Sequence, residues 1–129
     1  MVFAVAADRH DETARLFADL GYTLESAELA ELGLRVSLDW SGGIELISTL
    51  TGATADVAAS VDAHLAEHGD GVYTVVLRIP DASDAETVAE RYGGVTRFRQ
   101  HIEGEGTYLT EVDLSVRNLP LTLLATNIP

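Results

Sequence analysis

One order of secondary structure occurs twice in this sequence, and this repeat constrains the fold more than any other feature. In the first half, alternating apolar and polar residues over Leu34–Trp40 are typical of a half-buried strand. Apolar residues at helical spacing follow Asp8, a candidate N-cap, and Gly21 ends that helix. The first half therefore predicts the order β-α-β-β-β, with strands over Val2–Ala6, Tyr22–Leu29, Leu34–Trp40 and Ile44–Ile47.

The second half predicts the same order after an alanine-rich helix over Ala55–His68. A strand over Val72–Ile79 precedes a helix that begins at Asp81 or Ser83 and ends at Gly93. Three further strands are predicted over Val95–Ile102, Thr107–Leu114 and Leu119–Ala125. Two copies at a spacing of roughly 65–70 residues are too few for a solenoid. We expect one domain over 1–129, with modules at about 1–50 and 70–129 linked by the helix 55–68.

Composition excludes several classes of protein. The chain has 129 residues, which fits one domain, and its apolar content of 47% is too high for a disordered chain. Its net charge is −13 and all eight of its cationic residues other than histidine are Arg, so nucleic acid and anionic membranes are poor partners. No apolar run is long enough to span a bilayer, and the first residues lack the basic region of a signal peptide. We therefore expect a cytoplasmic protein.

Four segments carry a resemblance to a known family. They are the opening strand Phe3–Asp8, the strand Gly43–Ser48, the helix end Leu65–Gly69, and the strand Gly71–Asp81. Together they resemble the vicinal oxygen chelate superfamily, which includes glyoxalase I, methylmalonyl-CoA epimerase, extradiol dioxygenases and bleomycin-resistance proteins. The resemblance implies an α+β fold in which two β-α-β-β-β modules form a cup-shaped mixed sheet with helices on its outer face. It also implies a homodimer.

Enzymes of this superfamily bind a divalent metal through one residue on each of four strands. Carried over by the resemblance, those positions fall on Met1, Glu45, Thr74 and Thr122. Only Glu45 is a good ligand, because a neutral threonine hydroxyl replaces the expected His at Thr74 and the expected Glu at Thr122. We therefore predict that the protein binds no metal and needs no cofactor.

Strand alternation predicts which side chains line the cup. Glu45 on the fourth strand, Thr74 and Arg78 on the fifth, and Thr122 on the eighth are expected to face inward. On the sixth strand one face is predicted to carry Arg97, Arg99 and His101, and on the seventh one face carries Leu109, Glu111 and Asp113.

These residues suggest two kinds of role. A carboxylate at Glu45 in a partly apolar cup is expected to have a raised pKa and to act as a general acid or base, with His101 as a second candidate. Glu45 could equally be a satisfied buried carboxylate or a remnant of a lost metal site, and His101 an exposed strand residue. The remaining candidates would bind substrate: Thr74, Arg78, Thr122, Arg97 and Arg99.

Some of these charged residues could have purely structural roles. Arg97 and Arg99 could pair with Glu111 and Asp113 across the hairpin rather than bind an anionic ligand. Three other histidines are expected to be solvated, on or beside helices: His10, His64 and His68.

The predicted function is that of a glyoxalase- or bleomycin-resistance-like protein that binds a small molecule. As an enzyme, it would be a metal-independent isomerase, epimerase or lyase that uses Glu45. The alternative is a non-catalytic protein that binds or sequesters a drug. A second alternative is a metal-dependent glyoxalase or dioxygenase-type enzyme.

Overall fold

The computed structural model describes every residue from Met1 to Pro129, and its elements follow the predicted order. The chain forms two compact units, unit 1 over Met1–Tyr73 and unit 2 over Thr74–Pro129. The strands are β1 (Val2–Ala4), β2 (Glu25–Leu29), β3 (Leu34–Asp39), β4 (Ile44–Thr49), β5 (Gly71–Arg78), β6 (Val95–Glu103), β7 (Tyr108–Val116) and β8 (Leu119–Thr126). The helices are α1 (His10–Asp19), α2 (Asp56–His68) and α3 (Ala82–Arg91).

Unit 1 contains a mixed sheet in the order β2-β3-β4-β1. Strand β4 pairs antiparallel with β3 and parallel with β1. The register places Leu46 beside Phe3, and the ring of Phe3 lies 5.4 Å from that of Phe17 on α1. The Leu46 side of the sheet therefore faces α1, and Glu45 lies on the opposite side, as the alternation predicts.

Unit 2 repeats this arrangement, with β8 antiparallel to β7 and parallel to β5, and β6 at the edge. One face of its sheet packs against α3 through a core that includes Ala82, Leu114 and Leu123. The other face carries Thr122, which pairs with Asp113 on β7 and Val76 on β5. The repeated β-α-β-β-β order is thus confirmed in both halves.

Two helix starts differ in how they are capped. The prediction for α3 is confirmed, because the Asp81 side chain accepts a 2.8 Å hydrogen bond from the backbone N–H of Asp84. The prediction of Asp8 as the cap of α1 is wrong, since Asp8 lies inside a short 3-10 helix (Ala7–Arg9) and α1 starts at His10 without a side-chain cap. None of the helices is long and apolar enough to cross a membrane.

His10 is fully buried, so the prediction of a solvated side chain is also wrong. Its Nδ1 lies 2.7 Å from Oγ of Ser48 and its Nε2 lies 2.8 Å from Oγ of Ser37. Oγ of Ser26 lies 2.7 Å from the same Ser37 oxygen. Because the imidazole is satisfied on both nitrogens, it can occupy the space between α1 and the sheet without an unpaired polar atom.

Candidate functional site

Two buried threonines mark the centre of the polar face of unit 2. The Oγ1 atoms of Thr74 on β5 and Thr122 on β8 lie 3.1 Å apart, and both residues are less than 10% exposed. The Thr122 hydroxyl also lies 3.4 Å from a carboxylate oxygen of Asp113, to which it donates. Because a carboxylate only accepts, this donation leaves Thr74 as the donor of the bond between the two hydroxyls.

Asp113 also forms an ion pair with Arg97. Nη2 of Arg97 donates a 2.8 Å hydrogen bond to the same carboxylate oxygen of Asp113. The Arg97 and Asp113 side chains are 34% and 17% exposed, so water screens this ion pair only in part. A hydrogen-bonded chain therefore runs from Thr74 through Thr122 to Asp113 and ends on the Arg97 guanidinium.

A second carboxylate, Glu111, shares this face. Glu111 lies two residues before Asp113 on β7 and pairs with Leu124 on β8 and Gln100 on β6, so its side chain points to the same side as that of Asp113. Glu111 takes no part in the hydrogen-bonded chain of the threonines and Asp113. No buried side-chain nitrogen or oxygen in the protein lacks a hydrogen-bond partner.

Burial changes the acidity of both carboxylates. Desolvation raises the pKa of Glu111, and the negative charge of Asp113 raises it further. Desolvation also raises the pKa of Asp113, although the charge and hydrogen bond of Arg97 and the hydrogen bond of Thr122 act against the rise. The pKa of Glu111 is thus raised with no opposing contribution, whereas Arg97 and Thr122 oppose the rise at Asp113.

The prediction that Arg97, Arg99 and His101 share one face of the sixth strand is wrong. The pairing of β6 with β7 shifts register between Thr96 and Phe98, which marks a β-bulge. Beyond the bulge, Arg99 pairs with Glu86 on α3, so it lies on the helix side. Arg97 alone remains on the face of Thr122.

His101 lies on the same side as Arg99. Its Nδ1 is 2.6 Å from Oγ1 of Thr110 and its Nε2 is 2.9 Å from Glu103, and the residue is exposed. The structure therefore does not bring His101 together with Thr74 and Thr122.

Arg78 and Glu45 lie apart from this chain of hydrogen bonds. Arg78 lies four residues after Thr74 on β5, so alternation places both residues on the same face. Its guanidinium, however, donates to the backbone carbonyls of Thr126 and Ile128 near the C-terminus. Glu45 is a half-buried residue of unit 1, where it pairs with Val2 and Leu38.

The residues do not fit the divalent metal that the fold implies. The hydroxyls of Thr74 and Thr122 hydrogen-bond to each other, and the terminal amino group of Met1 donates to the carbonyl of Gly43 at 2.9 Å. Nowhere in the chain do three or more His, Asp or Glu side chains converge as a metal site requires. The donor set of this chain therefore suits proton transfer and hydrogen bonding better than metal ligation.

The sequence alone assigns Glu111 and Asp113 only the role of partners to arginines. A stronger signal is their spacing of two on a strand whose other face is apolar, with Val112 and Leu114 buried. Two carboxylates on one face of a buried strand repel each other and lose hydration, which raises their pKa values. This pattern could identify them as candidate acid–base groups.

The repeated β-α-β-β-β module and its strand order are those of the glyoxalase/bleomycin-resistance fold. Solved structures share this fold at low sequence identity. Methylmalonyl-CoA epimerase from Mycobacterium tuberculosis aligns with a TM-score of 0.63 at 18% identity, over 96% of this chain and 83% of that one. A hypothetical protein from Bacillus halodurans aligns with a TM-score of 0.69 at 12% identity, over 99% and 94% of the two chains.

A third similar structure carries a ligand. A variant of the Streptomyces coelicolor methylmalonyl-CoA epimerase in complex with 2-nitronate-propionyl-CoA aligns with a TM-score of 0.60 at 19% identity, over 98% of this chain and 96% of that one. No protein-family model matches the sequence, and a search of curated proteins gave no significant match. At these identities the comparisons establish the fold.

Proposed function

We propose that this chain is a small-molecule enzyme that moves a proton at a carbon next to a carbonyl group, without a metal ion. The single observation that carries this proposal is the half-buried Glu111 carboxylate, whose pKa desolvation raises, on the same face as the Arg97–Asp113 pair. A general acid or base works best when its pKa lies near the working pH, and burial moves Glu111 in that direction. The reaction class is that of an isomerase or epimerase.

The other polar groups of unit 2 have complementary roles in this proposal. Arg97 supplies the cation that an enolate or a carboxylate of the substrate requires, and Asp113 holds its guanidinium in place at 2.8 Å. The hydroxyls of Thr74 and Thr122 fix the position of Asp113 through their shared hydrogen bonds. Glu45 remains a second candidate for the proton-transferring carboxylate.

A thioester is the substrate class to test first, because two of the three similar structures described above are methylmalonyl-CoA epimerases. The net charge of −13 opposes binding of the CoA phosphates. We therefore choose two probes, methylmalonyl-CoA and the methylmalonyl thioester of N-acetylcysteamine, which has the same reacting carbon and no phosphates.

The experiment is incubation of each probe with the protein in D2O, followed by mass spectrometry of the α-carbon. We expect the wild-type protein to introduce one solvent deuteron. Glu111→Gln should slow this exchange by about 100-fold or more, since a positioned general base contributes about that much. Ligand affinity should change by less than about tenfold, because Gln keeps the shape of the side chain.

The matched control is Glu105→Gln, which changes an exposed glutamate of the same unit. It should exchange at the wild-type rate. If Glu45→Gln loses exchange while Glu111→Gln keeps it, the proton-transferring group is Glu45 and our assignment of Glu111 is wrong. If the wild-type protein exchanges neither probe yet retains an organic molecule in native mass spectrometry, the chain is a binding protein and the enzymatic proposal fails.

A further inference from the structure

An apolar cavity of about 580 Å³ lies on the helix side of unit 2. Its walls come mainly from α3, β7 and β8, and include Ala85, Val88, Leu114 and Leu121. Leu121 and Thr122 are neighbours on β8 and point to opposite faces, so this cavity lies across the sheet from Thr122 and Asp113. The volume is within the range of about 300–1,000 Å³ that small-molecule sites occupy.

The cavity exists because α3 carries small residues where α1 carries large ones. Both helices have ten residues, α1 starting at His10 and α3 at Ala82. His10 fills the first position of α1, where α3 has Ala82. Phe17 fills the eighth position of α1 and packs on Phe3, whereas α3 has Ala89 there. The same module therefore has a filled space between helix and sheet in unit 1 and an open one in unit 2.

The two ends of the cavity differ in charge. Asp81 and Asp84 line it at the start of α3, and Arg117 lines it near the end of that helix. The Arg117 guanidinium lies 5.7 Å from the centre of the Tyr92 ring, just past the last residue of α3. A helix of ten residues is about 15 Å long, so an elongated molecule fits between the acidic end and the cationic end.

The backbone conformation that places Arg117 at this end is unfavourable for arginine. Arg117 occupies the two-residue turn between β7 and β8 with a φ of 51°, and Asn118 follows with a φ of 64°. Such turns favour Asn or Gly because their φ angles are positive. None of the ion pairs of the protein involves Arg117, although the chain has 21 acidic residues. The guanidinium is thus available to an external carboxylate.

We infer that this cavity binds an aliphatic carboxylic acid of medium chain length. The alkyl chain lies along α3 against Val88, Leu114 and Leu121, and the carboxylate binds Arg117. The reverse orientation would place the carboxylate beside Asp81 and Asp84, which repel it. This site is separate from the polar face of unit 2, so its test does not depend on the proposed enzymatic function.

The test uses isothermal titration calorimetry with decanoate and decanol as probes. We expect the wild-type protein to bind decanoate. Arg117→Gln should weaken decanoate binding by about tenfold or more and change decanol binding by less than about threefold, because only the acid carries a charge for Arg117. Arg91→Gln, which removes an exposed Arg of α3 that does not line the cavity, is the matched control and should bind both probes as wild type does.

A second pair of variants tests the location. Ala89→Phe places in unit 2 the side chain that unit 1 has at Phe17, and should weaken binding of both probes by about tenfold or more. Ala85→Leu fills the same space from another position of α3, in case Ala89→Phe does not fold. Thermal unfolding and circular dichroism show which variant keeps the native fold.

Three outcomes would overturn the inference. The first is no binding of decanoate at millimolar concentration. The second is an equal loss of decanoate and decanol in Arg117→Gln, since the acid group would then play no part. The third is a wild-type dimer that decanoate does not dissociate and that Ala89→Phe converts to a monomer, because the cavity would then be a contact between copies of this chain.

Discussion

Arg97 and Asp113 form an ion pair at 2.8 Å across a point where the register of β6 against β7 shifts. The bulge leaves Arg97 on the face of Thr122, whereas Arg99, two residues later, reaches Glu86 on the helix side. One irregularity in a strand thus separates two arginines that alternation alone would place together. The two arginines also differ in exposure, at 34% for Arg97 and 63% for Arg99, whereas their partners Asp113 and Glu86 are similarly buried, at 17% and 13%.

We predict that Arg97→Gln destabilises the protein more than Arg99→Gln. Loss of Arg97 leaves Asp113 as a partly buried carboxylate with only the long Thr122 contact, which costs about 1–3 kcal/mol. Loss of Arg99 should cost clearly less, because that arginine is exposed and Glu86 keeps its hydrogen bond from Thr96. Urea denaturation at neutral pH measures both, and equal costs would contradict the prediction.

The two buried threonines allow a double-mutant test. Thr122→Val alone removes the acceptor of the Thr74 hydroxyl and leaves that hydroxyl unpaired, at a cost of about 1–3 kcal/mol. The double variant Thr74→Val/Thr122→Val removes both groups and keeps their shape, so it should cost less than the sum of the single variants. Urea denaturation of all four proteins gives the coupling energy, and additive costs would mean that the hydroxyls do not interact.

Much of the fold can be predicted because it depends on local pattern. Alternation over Leu34–Trp40 and helical spacing around Phe17 give the repeated module, and Asp81 has the spacing of a helix cap. The β-bulge before Phe98 could not be predicted, because a bulge depends on the pairing of two strands rather than on one. The burial of His10 could not be predicted from the pattern either. It depends on a hydrogen-bonded network of three serines that lie on other strands, far from His10 in the sequence.

The candidate site is predicted less completely than the fold. Strand alternation places Thr74 and Thr122 on the same side of the sheet, and their hydroxyls lie 3.1 Å apart. The sequence does not identify Glu111 as an acid–base residue, since its raised pKa results from burial and from the charge of Asp113. A pKa shift that depends on desolvation can be recognised only from the structure.

His10 should make stability depend on pH. Burial lowers the pKa of His10, and the charge of Arg35 lowers it further, so the folded state binds a proton less well than the unfolded state. The unfolded state takes up that proton as pH falls below about 6.5. Stability contributed by the neutral imidazole is therefore complete above that pH and decreases below it, by at most about 1.4 kcal/mol per pH unit.

The measurement is urea denaturation of the wild-type protein and His10→Gln at pH 7.5 and pH 5.5. The difference in unfolding free energy between the two pH values should be smaller in His10→Gln. An unchanged pH dependence in His10→Gln would show that other groups cause it.

Alanine substitutions at two glycines of unit 1 distinguish the effect of backbone strain on stability from the effect of steric crowding. Gly33 and Gly43 have φ values of +68° and +71°, so alanine is unfavourable at both by about 1–2 kcal/mol. A Cβ at Gly33 would lie 2.6 Å from Cβ of Ala53 and 3.0 Å from Cβ of Ala58, whereas one at Gly43 meets no atom within 4 Å. Gly33→Ala should therefore cost about 1–3 kcal/mol more than Gly43→Ala in urea denaturation. Similar costs would mean that Ala53 and α2 both move away from Gly33 easily.

Glu111→Gln should stabilise the protein at neutral pH, at the expense of the proposed activity. Because the pKa of Glu111 is raised in the folded state, ionising this group costs about 1.4 kcal/mol for each pH unit by which that pKa exceeds its ordinary value. The wild-type protein loses this stability as pH rises from the ordinary glutamate pKa of about 4.3 through the raised pKa, whereas Gln does not titrate.

The gain in unfolding free energy of Glu111→Gln over wild type, measured by urea denaturation, should therefore be present at pH 7 and absent near pH 4. A Glu111→Gln variant that is less stable than wild type at pH 7 would show that the carboxylate stabilises the fold, and the reason to assign it to proton transfer would be lost.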